Sequence, residues 1–113
     1  MNIFKVCVLP ILFLSSQQLL AATYTGTILE IEVQEDITPP SIGITLGNTL
    51  QSDAGCSHLW VFVPLDDVSG STLNNRKIAL IMTAYAMKST VTISLKECIN
   101  QGTLPKIHYI SSK

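Results

Sequence analysis

The mature chain keeps one pair of cysteines, Cys56 and Cys98, and this pair constrains the fold more than any other feature. The third cysteine, Cys7, lies in an N-terminal segment with the layout of a secretory signal peptide, so it is removed on export. An even pair in an oxidising compartment is expected to form a disulfide. A bridge that closes a loop of about 43 residues stabilises a domain by roughly 4 kcal/mol. The sequence therefore predicts one small domain held by a Cys56–Cys98 bridge.

The first 22 residues predict export. Lys5 provides the positive n-region, residues 6–14 are apolar, and a polar segment precedes Ala21-Ala22, so we expect cleavage after Ala22. The apolar stretch is well short of the roughly 20 residues that span a bilayer. The mature protein is therefore expected to be periplasmic or secreted, without an integral membrane segment. Residues 23–113 have the length of a single domain.

The charge balance argues against one class of partner. The chain has 7 basic and 8 acidic residues and a net charge of −1, which becomes −2 when Lys5 leaves with the signal peptide. Proteins that bind nucleic acid need clustered Lys and Arg to displace counterions from the phosphates. The only adjacent basic pair is Arg76-Lys77. We therefore expect no nucleic-acid partner.

Alternating apolar and polar residues predict a mainly β domain. The five predicted strands cover residues 24–35, 42–46, 58–63, 90–95 and 107–110. In the first strand, Leu29, Ile31 and Val33 are expected to share the buried face. Trp60 and Phe62 are expected to belong to the core, since both faces of the third strand are apolar.

One helix is predicted between the third and fourth strands. Its apolar face has the i, i+3, i+4, i+7 spacing at Ile78, Ile81, Met82 and Tyr85. Asn74 or Asn75 is placed to cap its N-terminus, and Lys88 lies near its C-terminal end. Five strands with one helix in this position match the chain order of the OB-fold, a partly open Greek-key barrel. An unclosed sandwich is the alternative.

Residues suited to catalysis or metal binding are scarce. His58 and His108 lie in different strands and form no short-spaced ligand motif. Ser57, His58 and Asp53 are too close in sequence to be expected to converge as a triad. Asp66-Asp67 lacks the spaced acids of an EF-hand loop, and no glycine-rich phosphate loop is present. We therefore predict a non-enzymatic protein without a metal or cofactor.

The remaining candidates are surface residues that would contact a partner. An acidic stripe runs along the first strand and the loop after it, and the two tyrosines near the chain ends are the rings most expected to be exposed. The candidate residues are Tyr24, Tyr109, Glu30, Glu32, Glu35 and Asp36.

Three segments carry a resemblance to a known group of proteins. They are the early strand of residues 26–31, a cysteine ahead of the aromatic strand at residues 56–62, and the helix-to-strand run of residues 79–93, in which a tyrosine and a short polar link precede a Val-x-Ile strand. In this layout the chain resembles the receptor-binding B subunits of bacterial AB-type toxins, especially the subtilase-cytotoxin B-subunit-like branch. It also resembles small exported proteins of Gram-negative bacteria.

The resemblance implies a disulfide-containing OB-fold that binds glycans and assembles as a pentameric ring. The leading hypothesis is thus an exported binding module for a carbohydrate or a cell-surface partner. The alternative is a periplasmic protein-binding or inhibitor domain of the lysozyme-inhibitor kind, in which the acidic stripe meets a basic enzyme.

Overall fold

The computed structural model describes residues 22–65 and 72–113, except for the side chain of Thr72. The predicted signal peptide lies outside these residues, apart from Ala22, which begins the first strand. In chain order the elements are β1 (Ala22–Thr27), β2 (Glu30–Gln34), β3 (Ser41–Thr45), β4 (Leu50–Gln51), β5 (Ser57–His58), β6 (Val61–Pro64), α1 (Thr72–Met87), β7 (Thr90–Ile99) and β8 (Leu104–Ser112). The predicted mainly β fold with one helix between the third and fourth predicted strands is confirmed.

The main sheet has six strands in the order β1-β7-β8-β6-β3-β2. Its neighbours are antiparallel except β6 and β8, which are parallel and meet at Phe62 and Lys106. β1 and β2 are the two edges, so hydrogen bonds between strands do not close the sheet. β4 and β5 form a separate two-stranded sheet, which the sequence did not predict.

The first predicted strand is divided in two. Ile28 and Leu29 lie between β1 and β2, and the amide of Leu29 donates to the carbonyl of Thr45 at 2.9 Å. Ile28 is buried, whereas Leu29 and Val33 are exposed, so the prediction of a single buried face was wrong for these two residues. Leu29 is exposed because the break between β1 and β2 places Ile28, its neighbour, in the core. Val33 is exposed on β2, which lies at an edge of the sheet.

The main core lies between α1 and one face of the sheet. The helix packs on β6 and β8 through a row that contains Ile78, Ile81 and Ala84. Met82 and Tyr85, which were predicted for the buried face, are exposed instead. The face of the helix that packs on the sheet runs from Ile78 through Ile81 to Ala84, and positions 82 and 85 each lie one residue past it, toward the solvent. The helix also begins at Thr72, so neither Asn74 nor Asn75 is its cap.

The predicted disulfide is confirmed. Cys56 and Cys98 are joined with a Cα–Cα distance of 6.2 Å, which links the segment before β5 to β7. The buried hydroxyl of Ser52 lies 3.1 Å from the sulfur of Cys56 and 3.3 Å from that of Cys98. The bridge therefore ties the small sheet to the large one.

A second apolar cluster centres on Phe62. It contains Phe62, Ile99, Leu104, Ile37 and Trp60, which confirms the expected burial of Phe62; Trp60 is half-buried. The loops on either side of this cluster are joined, since the amide of Asn100 donates to the carbonyl of Thr38 at 2.8 Å and the amide of Thr38 donates to Asn100 Oδ1 at 3.1 Å. The loops after β2 and after β7 are thus held to each other by two hydrogen bonds.

Candidate functional site

The two tyrosines proposed as binding residues have different surroundings. Tyr24 is half-buried, and its hydroxyl donates to the carbonyl of Gln51 at 2.8 Å and accepts from the amide of Gln51 at 3.1 Å. It therefore joins β1 to β4. Tyr109 is 54% exposed on β8. Of the two, only Tyr109 offers an accessible ring to a ligand.

The acidic residues lie along the β2 edge and the loop that follows it. Glu30, Glu35 and Asp36 are exposed, whereas Glu32 is half-buried and accepts a hydrogen bond from Gln34 Nε2 at 2.6 Å. β2 has a neighbour on one side only. Three of the four acids are thus free to meet a partner at the open side of the sheet.

The two histidines are not brought together. His58 accepts a hydrogen bond at Nδ1 from the amide of Trp60 at 3.0 Å, and its ring lies 6.5 Å from that of Phe62. His108 is exposed on β8. Among residues 22–65 and 72–113, no group of three or more His, Cys, Asp or Glu side chains is arranged to hold a metal ion. Nor does any helix in these ranges have the length and apolar character needed to cross a bilayer.

A pocket of about 510 Å³ lies where the C-terminal turn of α1 meets the bend between β1 and β2. We call it the bend pocket. Its lining residues are Thr27, Ile28, Leu29, Tyr85, Ala86 and Lys88. Tyr85 is 43% exposed and Lys88 is exposed. Within the described residues, neither the Tyr85 hydroxyl nor the Lys88 ammonium has a hydrogen-bond partner, so both are available to a ligand.

The backbone at the helix end fixes the position of Lys88. The amide of Ser89 donates to the carbonyl of Ala84 at 2.9 Å, and the amide of Lys88 donates to the carbonyl of Tyr85 at 3.2 Å. These two bonds form a Schellman motif, whose left-handed position is usually glycine. Here Lys88 occupies it with φ of 55°. A side chain held in this sparsely populated conformation points to a functional hypothesis.

A second pocket, of about 490 Å³, lies between the N-terminal half of α1 and β8. We call it the helix groove. Its lining residues are Leu73, Arg76, Lys77, Leu80, His108, Tyr109 and Ile110. Lys77 Nζ donates to the carbonyl of Ile107 at 3.2 Å. Partial burial lowers the pKa of Lys77, and the nearby Lys106 ammonium lowers it further, while Glu97 opposes both.

Tyr85 and Lys88 were not predicted from the sequence as candidate binding residues. Tyr85 follows the helical spacing of the core face, so its exposure was not expected. The available signal was the absence of any charged residue from Ala79 to Met87, because a helix without a charged face leaves apolar or aromatic side chains in solvent. Comparison with protein-family models, with curated proteins and with solved structures found no match for this chain.

Proposed function

We propose that the protein is an exported, non-enzymatic binding module that recognises a carbohydrate on a cell surface, and that the bend pocket is its ligand site. One observation carries the proposal: Lys88 occupies a helix-capping position that favours glycine, and both Lys88 and the exposed Tyr85 line the same pocket. Retaining a side chain in the left-handed region costs about 1–2 kcal/mol. A role for the ammonium group in binding accounts for that cost.

The chemistry of the bend pocket suits a sugar. The partly exposed Tyr85 ring can stack on the apolar C–H face of a pyranose, and the Lys88 ammonium can donate to sugar hydroxyl or carboxylate oxygens. Thr27 adds a hydroxyl at the β1 side of the pocket. A mainly apolar concave surface with a few polar groups is typical of small-ligand sites.

We propose further that the domain is an OB-like barrel of the toxin B-subunit type. β1 and β2 follow one another in the chain with Ile28 and Leu29 between them, and they pair with β7 and β3, the two ends of the remaining sheet. If they are counted as one bent strand, the neighbours run in a ring from this strand through β7, β8, β6 and β3 back to it. This five-stranded ring supports the OB-like assignment.

The resemblance to toxin B subunits leads us to propose a pentameric ring. Several identical sites on one assembly bind a cell surface with an avidity far above that of one site. Light scattering of the oxidised mature protein tests the ring directly. A mass of five subunits is expected, and a monomer at micromolar concentration contradicts this part of the proposal.

A glycan array tests the carbohydrate proposal. The mature wild-type protein is expected to bind a defined subset of glycans, and Tyr85→Ala and Lys88→Gly are expected to reduce that binding by tenfold or more. Tyr109→Ala is the matched control, since it removes another exposed tyrosine outside the bend pocket. Absence of binding to every glycan, or equal loss in Tyr85→Ala and Tyr109→Ala, contradicts the proposal.

The alternative function is a periplasmic inhibitor or protein-binding domain. It is favoured by the exposed acids Glu30, Glu35 and Asp36 along an open sheet edge, next to the exposed Val33. A basic partner such as a lysozyme would be attracted to this edge, and the attraction would weaken as salt rises. A triple variant, Glu30→Gln, Glu35→Gln and Asp36→Asn, is expected to lose this salt-dependent binding. No inhibition of lysozymes and no salt-dependent complex removes this alternative.

A further inference from the structure

The ladder between β7 and β8 is irregular where β8 lines the helix groove. Ser94 pairs with Tyr109, Leu95 with Ile107 and Glu97 with Lys106, so His108 on β8 and Lys96 on β7 have no partner residue across the ladder. Bulges redirect side chains and are frequent next to binding and active sites. Here His108 and Tyr109 are both exposed and both line the groove. A regular ladder would place consecutive residues on opposite faces of the sheet.

Three basic residues, Arg76, Lys77 and His108, line the groove. Arg76 and His108 are exposed, whereas Lys77 is half-buried and its ammonium group donates to the carbonyl of Ile107. None of the described residues that line the groove is acidic. The whole segment of residues 68–96 contains no Asp or Glu. An anion in the groove would therefore meet these donors, since the nearby carboxylate of Glu97 is not part of the lining and pairs with Lys106 at 3.6 Å.

The rest of the lining is apolar. Leu80 and Ile110 contribute aliphatic surface from the two elements, and Tyr109 contributes an exposed ring. The volume of about 490 Å³ falls within the range of about 300–1,000 Å³ that is usual for small-molecule sites. A ligand that fits both parts of the groove has an anionic end and a hydrocarbon body.

We propose that the helix groove is a second ligand site, which binds a small amphipathic anion. Its carboxylate or phosphate group is held by Arg76 and His108, and its hydrocarbon body lies against Leu80, Ile110 and the ring of Tyr109. Arg76 supplies the fork geometry that matches both kinds of oxyanion, and the imidazole donates one N–H even when it is neutral. This site shares no lining residue with the bend pocket, so it does not depend on the carbohydrate proposal.

Calorimetric titration of the mature protein with five probes of three kinds tests the groove. Sodium decanoate and decyl phosphate carry both features, decanol carries only the hydrocarbon, and acetate and inorganic phosphate carry only the anion; all are used below micelle-forming concentrations. At least one of the two amphiphiles is expected to bind, and the stronger of them identifies the preferred anion. Decanol and the two anions without a chain are expected to bind at least tenfold more weakly.

Two variants localise the binding. Arg76→Gln is expected to weaken the preferred amphiphile by about tenfold or more, because it removes a charge-assisted hydrogen bond. Lys96→Gln removes one positive charge from an exposed position outside the groove, and it is expected to change the affinity by less than twofold. Amide chemical shifts of the wild-type protein are expected to move at residues 73–80 and 107–110.

Three results would overturn the proposal: no binding of either amphiphile, equal binding of decanol, or equal loss in Arg76→Gln and Lys96→Gln. A crossed comparison separates this site from the carbohydrate site. Tyr109→Ala is expected to weaken the amphiphile and leave glycan binding intact, and Tyr85→Ala is expected to do the reverse. Loss of one binding activity alone therefore counts against one site and leaves the other standing.

Discussion

At the scale of single residues, a substitution of Lys88 is expected to change stability and binding in opposite directions. Its left-handed conformation is strained for any residue with a Cβ and is unstrained for glycine. Lys88→Gly is therefore expected to raise the free energy of unfolding by about 1 kcal/mol while it weakens glycan binding. Urea denaturation of the variant and of Lys96→Gly measures the first effect, since glycine at the exposed strand position of Lys96 is expected to destabilise. A loss of stability in Lys88→Gly would show that the lysine supports the fold.

Gly43 is a position at which adding a side chain is expected to lower stability. A Cβ at this position would lie 2.6 Å from Cε1 of Phe62, a buried ring fixed within the second apolar cluster. Gly43→Ala is therefore expected to lower the free energy of unfolding by about 1–3 kcal/mol. Gly26→Ala is the control, because its Cβ would meet only the side chain of Leu46, at 3.4 Å. Equal denaturation midpoints for the two variants would contradict the prediction. In the Gly43→Ala background, a second substitution, Phe62→Leu, is expected to recover part of the lost stability, because it removes the ring that the new Cβ meets.

At the scale of elements, the ammonium group of Lys77 connects α1 to β8. Its partial burial in the folded state makes the free energy of unfolding depend on pH. Because burial lowers the pKa of Lys77 in the folded state, the unfolded chain binds more protons in the pH range below the ordinary value of 10.5. Stability from this group therefore rises as the pH rises through its folded pKa toward 10.5. Lys77→Met is expected to flatten that rise, whereas Lys96→Met, at an exposed position, is expected to retain it. Parallel pH profiles for the wild type and Lys77→Met would contradict the assignment.

The elements also show what could be predicted from the sequence. β3, β6 and β7 follow from apolar and alternating runs, and the exposure of Tyr109 follows from its place near the chain end. The bend at Ile28 and Leu29 contains neither glycine nor proline, so periodicity alone does not reveal it. The rotation of α1 was misjudged because residues 79–87 carry no charge, which leaves both faces of the helix apolar. The bend pocket, which depends on both features, was therefore missed.

At the scale of the whole molecule, the Cys56–Cys98 disulfide supports the sheet that carries both pockets. A domain of this size has a net stability of only about 5–10 kcal/mol, and the bridge supplies a large part of it. Replacing both Cys56 and Cys98 with alanine is expected to lower the free energy of unfolding by about 2–5 kcal/mol. Ser52→Ala, which keeps the bridge but removes the buried hydroxyl beside both sulfurs, is expected to cost about 1 kcal/mol.

Since the bridge contributes this much, we expect both the bend pocket and the helix groove to be less stable in the reduced protein than in the oxidised one. Urea denaturation with and without dithiothreitol measures the stability difference, and the glycan and decanoate titrations repeated in dithiothreitol measure its effect on binding. Reduction is expected to shift the denaturation midpoint to lower urea and to weaken both ligands together, because the two sites depend on one sheet that the bridge stabilises. An unchanged midpoint after complete reduction would mean that the apolar core alone holds the sheet, and that neither site depends on the bridge.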